Sequence, residues 1–374
     1  MGEVKKSLRS SIEEVIVSPS VLRALRESSG YSEEEVARKL NTSLERVRAV
    51  EDGKGHFTLR QIKKLADIYK RPLAAFFSET INPLPELSDF RTKRDGKLPP
   101  EVYLAKRRAV YLAEKLMELT GKKSSIPEIP LNYEPEDLAG WLRKELDIRP
   151  PSSLGQAGRL TPVKILDYYK KSFEEKMGLL IIEFPMNNGD VRAFCVASDI
   201  SVIVLNENEA PQAKLFSIAH EVCHILRKTP SICSIDIEEK DKQEVFCNRF
   251  AAELLVPAHE LRQLREEVNE ESVRRLAREY GVSRQVIAIR LKRLGLIGRA
   301  KYEELTKKME DEGEVERKTR GKGGRDWTRT FFNRAGGLAV SEMRRAIVED
   351  KVSLYEAARI LDLKMKYAEQ LLAE

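Results

Sequence analysis

Phe216–Arg227, FSIAHEVCHILR, decides how the chain is read, because it sets His220, Glu221 and His224 in the order H-E-x-x-H. Leu215, Ile218, Ala219, Val222, Ile225 and Leu226 recur at helical spacing, and Pro211 suits a first helical turn. A helix is expected. Residues four apart on a helix stack on one face, so both imidazoles reach a single metal ion. Glu221 stands beside them, where a carboxylate can take the proton of an attacking water. The competing reading is a surface helix with two solvated histidines. Against it, the chain has four histidines, His56, His220, His224 and His259, and two of them fall in this motif.

A catalytic metal site takes three protein ligands and leaves one position open, and two histidines with one glutamate form a common set. Glu244 opens the apolar run EVFCNRFAAELLVP and is the third candidate. Asp236, Glu238, Glu239 and Asp241 lie nearer His224, but in a charged connection expected to be solvated. Helical spacing aligns Glu244 with Asn248 and Ala252, so Asn248 can steady a ligand from behind. An acid opening an apolar helix is also what the helix dipole favours. Cys223 and Cys247 flank the motif as possible auxiliary ligands. The four cysteines show no C-x-x-C pairing and read as free thiols of a reducing cytosol.

FSIAHEVCHIL, followed by EVFCNRFAAELLVP and preceded by SVIVLNEN, resembles the ImmA/IrrE family of zinc metallo-endopeptidases, from Gly178 to Pro257. The resemblance implies Zn2+ held by His220, His224 and Glu244, with Glu221 as general base. It also implies a protein substrate, a partner transcriptional repressor.

Ser18 to Phe77 reads as a run of five short helices. Ser32 with Glu35 makes a capping box, Thr58 caps a later helix, and Asn41-Thr42-Ser43 forms a tight turn. The stretch EEVARKLNTSLERVRAVEDGKGHFTLRQIKKLADIY resembles the XRE/Cro-type helix-turn-helix domain. That resemblance makes Ser43, Arg46 and Arg48 the candidate DNA contacts. Glu33, Glu34 and Glu35 depart from the pattern, which often has a phosphate-contacting glutamine there. A triple acid repels phosphate, so the alternative is a domain kept for protein contacts.

The 374 residues carry a net charge of +6, which permits nucleic-acid contact without requiring it. No apolar run is long enough to span a membrane. The expected fold is α+β and mostly helical. Its parts are a helix-turn-helix domain at 1–82, a helical connector at 83–160, a zincin-like core at 161–262, a second helix-turn-helix-like unit at 263–300, a charged linker at 301–330 and a C-terminal helical module at 331–374. In the core, Leu179–Phe184, Val191–Ala197 and Ser201–Leu205 are expected to pair consecutively as an antiparallel meander, with an exposed edge open to a substrate strand. Residues 270–300 hold eight basic and three acidic residues, and Arg274, Arg275, Arg284 and Arg290 are expected at the surface to orient a partner. The C-terminal module reads as a docking or dimerising unit.

The sequence therefore reads as a cytoplasmic zinc endopeptidase that cleaves a transcriptional repressor and is fused to a DNA-binding-type domain. The alternative is a DNA-binding regulator whose zincin domain senses metal or ligand without catalysis.

Overall fold

The computed structural model describes residues 14–79, 98–129, 133–154, 160–187, 191–228, 232–234, 242–264, 267–319 and 326–373. They divide into two units, one of residues 14–79 and 98–107 and the other from 108 onward. The fold is α+β and mostly helical.

The first unit runs β1 (Glu14–Val15), α1 (Pro19–Glu27), α2 (Glu33–Leu40), α3 (Leu44–Glu51), β2 (Phe57–Thr58), α4 (Leu59–Tyr69), a 3-10 turn at Leu73–Phe77 and the start of α5 (Pro100–Thr120). The capping signals do what they promised. Ser32 and Glu35 bond reciprocally at α2, Thr58 and Gln61 do so at α4, and the Arg46 amide donates to the Ser43 hydroxyl at α3. Leu25, Val47, Ile62 and Phe76 are fully buried between these helices. Arg26 grips Glu51 at 2.7 and 2.8 Å, a buried bidentate pair tying α1 to α3.

The second unit continues with α6 (Pro135–Glu145), α7 (Pro162–Met177), β3 (Leu180–Phe184), β4 (Val191–Val196), β5 (Val202–Asn206), α8 (Pro211–Leu226), β6 (Ile232–Ser234), α9 (Lys242–Leu255) and α10 (Ala258–Leu261). Helices follow to the end: α11 (Glu270–Tyr280), α12 (Arg284–Arg293), α13 (Arg299–Thr319), α14 (Trp327–Ala335), α15 (Gly337–Val348), α16 (Leu354–Ile360) and α17 (Met365–Leu372).

The strands do not form the expected meander. Their order is β3-β5-β4-β6, with β3 parallel to β5 and the other pairs antiparallel. The physical reason lies in β5, VIVLN, whose five residues are all buried. β5 is inserted between β3 and β4, so its place is set by long-range pairing rather than by the succession of strands along the chain.

The C-terminal module is docked on its own core. α14 and α15 pack against β3, and α15 also against α7. Gly336 at their junction has φ +87, and a Cβ there would stand 3.0 Å from the Ile181 carbonyl oxygen, so glycine is required. Arg334 bonds Glu207 at 2.6 Å and Arg329 bonds Asp167 at 2.7 Å. Much of the stretch read as a charged linker is the helix α13. Its Arg299–Glu303 pair at 2.7 Å and Glu304–Lys308 pair at 2.9 Å show why charge there supports a helix rather than a coil. Among the described residues no helix is long and apolar enough to cross a membrane.

Candidate metal centre

α8 begins with Pro211 at its first turn and packs against β4, β5, α7 and α9. His220 and Glu221 are fully buried and His224 nearly so. The two imidazoles face each other, with Nε2 atoms 3.0 Å apart. Glu244, from the first turn of α9, brings one oxygen to 3.1 Å from His220 Nε2 and the other to 3.3 Å from His224 Nε2. The three ligand atoms lie within 4.8 Å of one another, and no other such group occurs among the described residues. Asp236, Glu238, Glu239 and Asp241 lie outside those residues.

The donor set fits a cation. Asn248 Oδ1 lies 2.9 Å from His220 Nδ1, which makes Nδ1 the donor and leaves the Nε2 lone pair facing inward. Two ring nitrogens and a carboxylate this close require positive charge between them. The ionisation of the side chains shows the same demand. Burial lowers His224, but hydrogen bonds with Cys247 and Glu244 and the nearby Glu221 raise it to about 10. Burial raises Glu244, but the hydrogen bonds from His220 and His224 prevail and hold it at about 2. Cys223 and Cys247 contact each other, and Cys247 contacts His224, so both stand behind the ligands and neither joins the cluster.

Glu221 sits beside this cluster without entering it. Neither of its oxygens has a nitrogen or oxygen partner. Burial pushes its carboxyl up, while His224, His220 and the Cys195 thiol on β4 pull it down. A desolvated carboxylate next to a cation site is suited to accept and return a proton. The sequence carried no signal for Cys195, because only the folded sheet brings β4 under α8.

Two buried charge clusters hold α8 and α9 in place. Lys170 on α7 and Lys214 on α8 each bond Glu183 of β3, at 2.6 and 2.7 Å. At the far end of α9, Arg290 pairs with Glu253 and donates to the Val256 carbonyl at 3.2 Å. Arg290 is thus buried, at 3% exposure, and not the surface docking residue its sequence context suggested. It lies on the inward face of α12, where it neutralises a core carboxylate. Arg274 and Arg275 are engaged within α11 by Glu270 and Glu279.

In the first unit, Ser43, Arg46 and Arg48 gather at α3. Ser43 is spent on the cap, Arg46 donates to the His56 carbonyl at 3.2 Å, and Arg48 bonds Glu33 at 2.7 Å and Glu34 at 3.5 Å. Two of the three acids that depart from the helix-turn-helix pattern therefore engage the recognition-helix arginine, and Glu35 closes the capping box.

Residues 174–292 match the family described as IrrE N-terminal-like domain, a peptidase family, and residues 22–76 match the family described as helix-turn-helix. The chain carries an IrrE/ImmA-like peptidase domain preceded by an XRE-type helix-turn-helix, a pairing of metallopeptidase-type and DNA-binding-type modules. No curated protein matches it.

Proposed function

We propose that the second unit is a zinc-dependent, site-specific endopeptidase whose substrate is a partner transcriptional repressor, and that the helix-turn-helix unit serves the same regulatory task on DNA. The observation that carries this reading is the convergence of His220, His224 and Glu244 beside a buried carboxylate, Glu221, that takes no part in the ligand set. Zinc held there supplies a Lewis acid for the scissile carbonyl and for water. Glu221 takes the proton of the attacking water and delivers it to the leaving amine. Asn248 fixes the ring of His220. α14 and α15 cover β3, so an extended substrate would pair at the opposite side of the sheet, beyond β6, where no further strand lies among the described residues. The buried thiols Cys195, Cys223 and Cys247 suit a reducing cytosol.

The test is to incubate the full chain with the repressors encoded in its own genome, with and without a chelator, and to map any cut by mass spectrometry. A single chelator-sensitive cut in one repressor is expected. A chain that binds zinc and a repressor yet cuts none would be a sensor instead.

A further inference from the structure

Between α6, α9, α10 and α12 lies a cavity of about 590 Å3, within the size range of small-molecule sites. None of His220, Glu221, His224 or Glu244 lines it. Its basic lining is Arg249, Arg262, Arg290 and Arg293, with His259 beside them and no lysine. Its acids are Glu136, Asp137 and Glu253.

Two of the acids are spent within the wall. Glu136 takes Arg249 at 2.7 and 3.1 Å. Glu253 pairs with Arg290, accepts the Ala258 amide at 3.2 Å and lies 3.7 Å from Arg143, a fifth arginine, on α6. The Arg262 and Arg293 guanidiniums are exposed, and among the described residues neither has an ion pair or a hydrogen bond. Asp137 is exposed as well and pairs with neither of them. Five guanidiniums against three carboxylates leave an excess of two positive charges. The excess is felt at Arg290. Burial lowers it to about 10, and Arg293, Arg143 and Arg249 press it the same way against the pull of Glu136. A recess concentrates such a potential, where a flat surface would let water and salt disperse it.

We propose that this cavity binds a small, multiply charged oxyanion, a phosphate or a carboxylate, through the Arg262 and Arg293 guanidiniums. A guanidinium presents paired N–H donors that match two oxygens of such a group, which a lysine ammonium does not. The anion supplies the missing negative charge and leaves the Glu136–Arg249 and Glu253–Arg290 pairs intact. A cationic ligand would add to the excess.

The experiment is calorimetric titration of the full chain with pyrophosphate, with succinate, and with putrescine as the dication control. The chain is stripped of metal beforehand, so that chelation is not read. Saturable one-to-one binding of at least one anion, weakening as salt rises, is expected, with none of putrescine. The anion that binds more tightly identifies the oxyanion as phosphate or carboxylate. Arg262→Ala and Arg293→Ala, both at exposed positions, should each weaken binding about tenfold or more, the worth of a hydrogen bond to a charged group. Asp137→Asn removes an acid that opposes the anion and should tighten binding, an outcome that no folding defect mimics. The proposal is overturned if neither anion saturates, if putrescine binds as tightly, if both arginine variants bind like the parent chain, or if Asp137→Asn binds no tighter. It is overturned too if Arg46→Ala on α3 weakens binding as much as they do, which would place the anion on the helix-turn-helix unit. The readout does not involve proteolysis, so it is independent of the peptidase reading.

Discussion

Asn248 Oδ1 stands 2.9 Å from His220 Nδ1, and through this contact α9 sets the orientation of a ring carried by α8. α9 also supplies Glu244 and the thiol against His224. One helix thus contributes a candidate ligand and the supports behind the other two, so the site depends on how α8 and α9 pack.

Asn248→Ala removes the acceptor that holds the His220 tautomer. Zinc affinity, measured by competition with a chromophoric chelator, should fall about 10- to 100-fold, as expected for an outer partner of a ligating histidine. Asn248→Asp keeps an acceptor and should retain most of the affinity. Equal affinity in Asn248→Ala and the parent chain would mean that another group fixes the ring.

With His224 raised to about 10, its ring carries a proton at neutral pH. A metal must displace that proton, so apparent affinity should rise with pH, by roughly tenfold per unit below that value. Titration calorimetry in buffers of different ionisation enthalpy should find about one proton released per zinc at neutral pH. Release of none would contradict the ligand role of His224.

The Glu174 carboxyl is held at about 7 in the folded chain, against 4.5 as its ordinary value. The folded state therefore binds its proton more tightly than the unfolded state does. The stability this confers is fully present below the ordinary value and is lost as pH rises through the folded one. Its size is on the order of 3 kcal/mol. Urea unfolding at acidic and at mildly alkaline pH should show that loss in the parent chain, and Glu174→Gln should reduce it. The same pH dependence in both would place the titrating group elsewhere.

Arg48 is held by Glu33 and Glu34, so on DNA it would have to exchange carboxylates for phosphates. Replacing both acids with glutamine should strengthen binding of the full chain to genomic DNA several-fold. Arg46→Ala should weaken it, and binding should fall steeply with salt. A gel-shift titration that finds no salt-dependent binding, even in the double glutamine variant, would assign this face to protein contacts.

How far the sequence could be read depended on the range of each interaction. His220, Glu221 and His224 fall on one helix, where spacing alone sets geometry, and Glu244 and Asn248 share a second helix in the same way. The capping pairs Ser32–Glu35 and Thr58–Gln61 are equally local. Strand order was not legible, because β5 takes its place beside β3 through pairing that no local pattern encodes. The burial of Arg290 is not encoded locally either, because its partner Glu253 lies on another helix. Gly336 and Gly337 owe their constraint to distant residues as well, since only the folded chain presses them against β3 and Glu174.

The most direct test of the central claim is Glu221→Gln, assayed for metal and for cleavage in the same preparation. Glutamine keeps the shape of the side chain beside the ligand cluster but cannot take a proton from water. The chain should retain about one zinc, as His220, His224 and Glu244 are untouched, while cleavage of the repressor falls by roughly two to four orders of magnitude. Full zinc occupancy with near-parental cleavage would show that Glu221 is not the base and contradict the account.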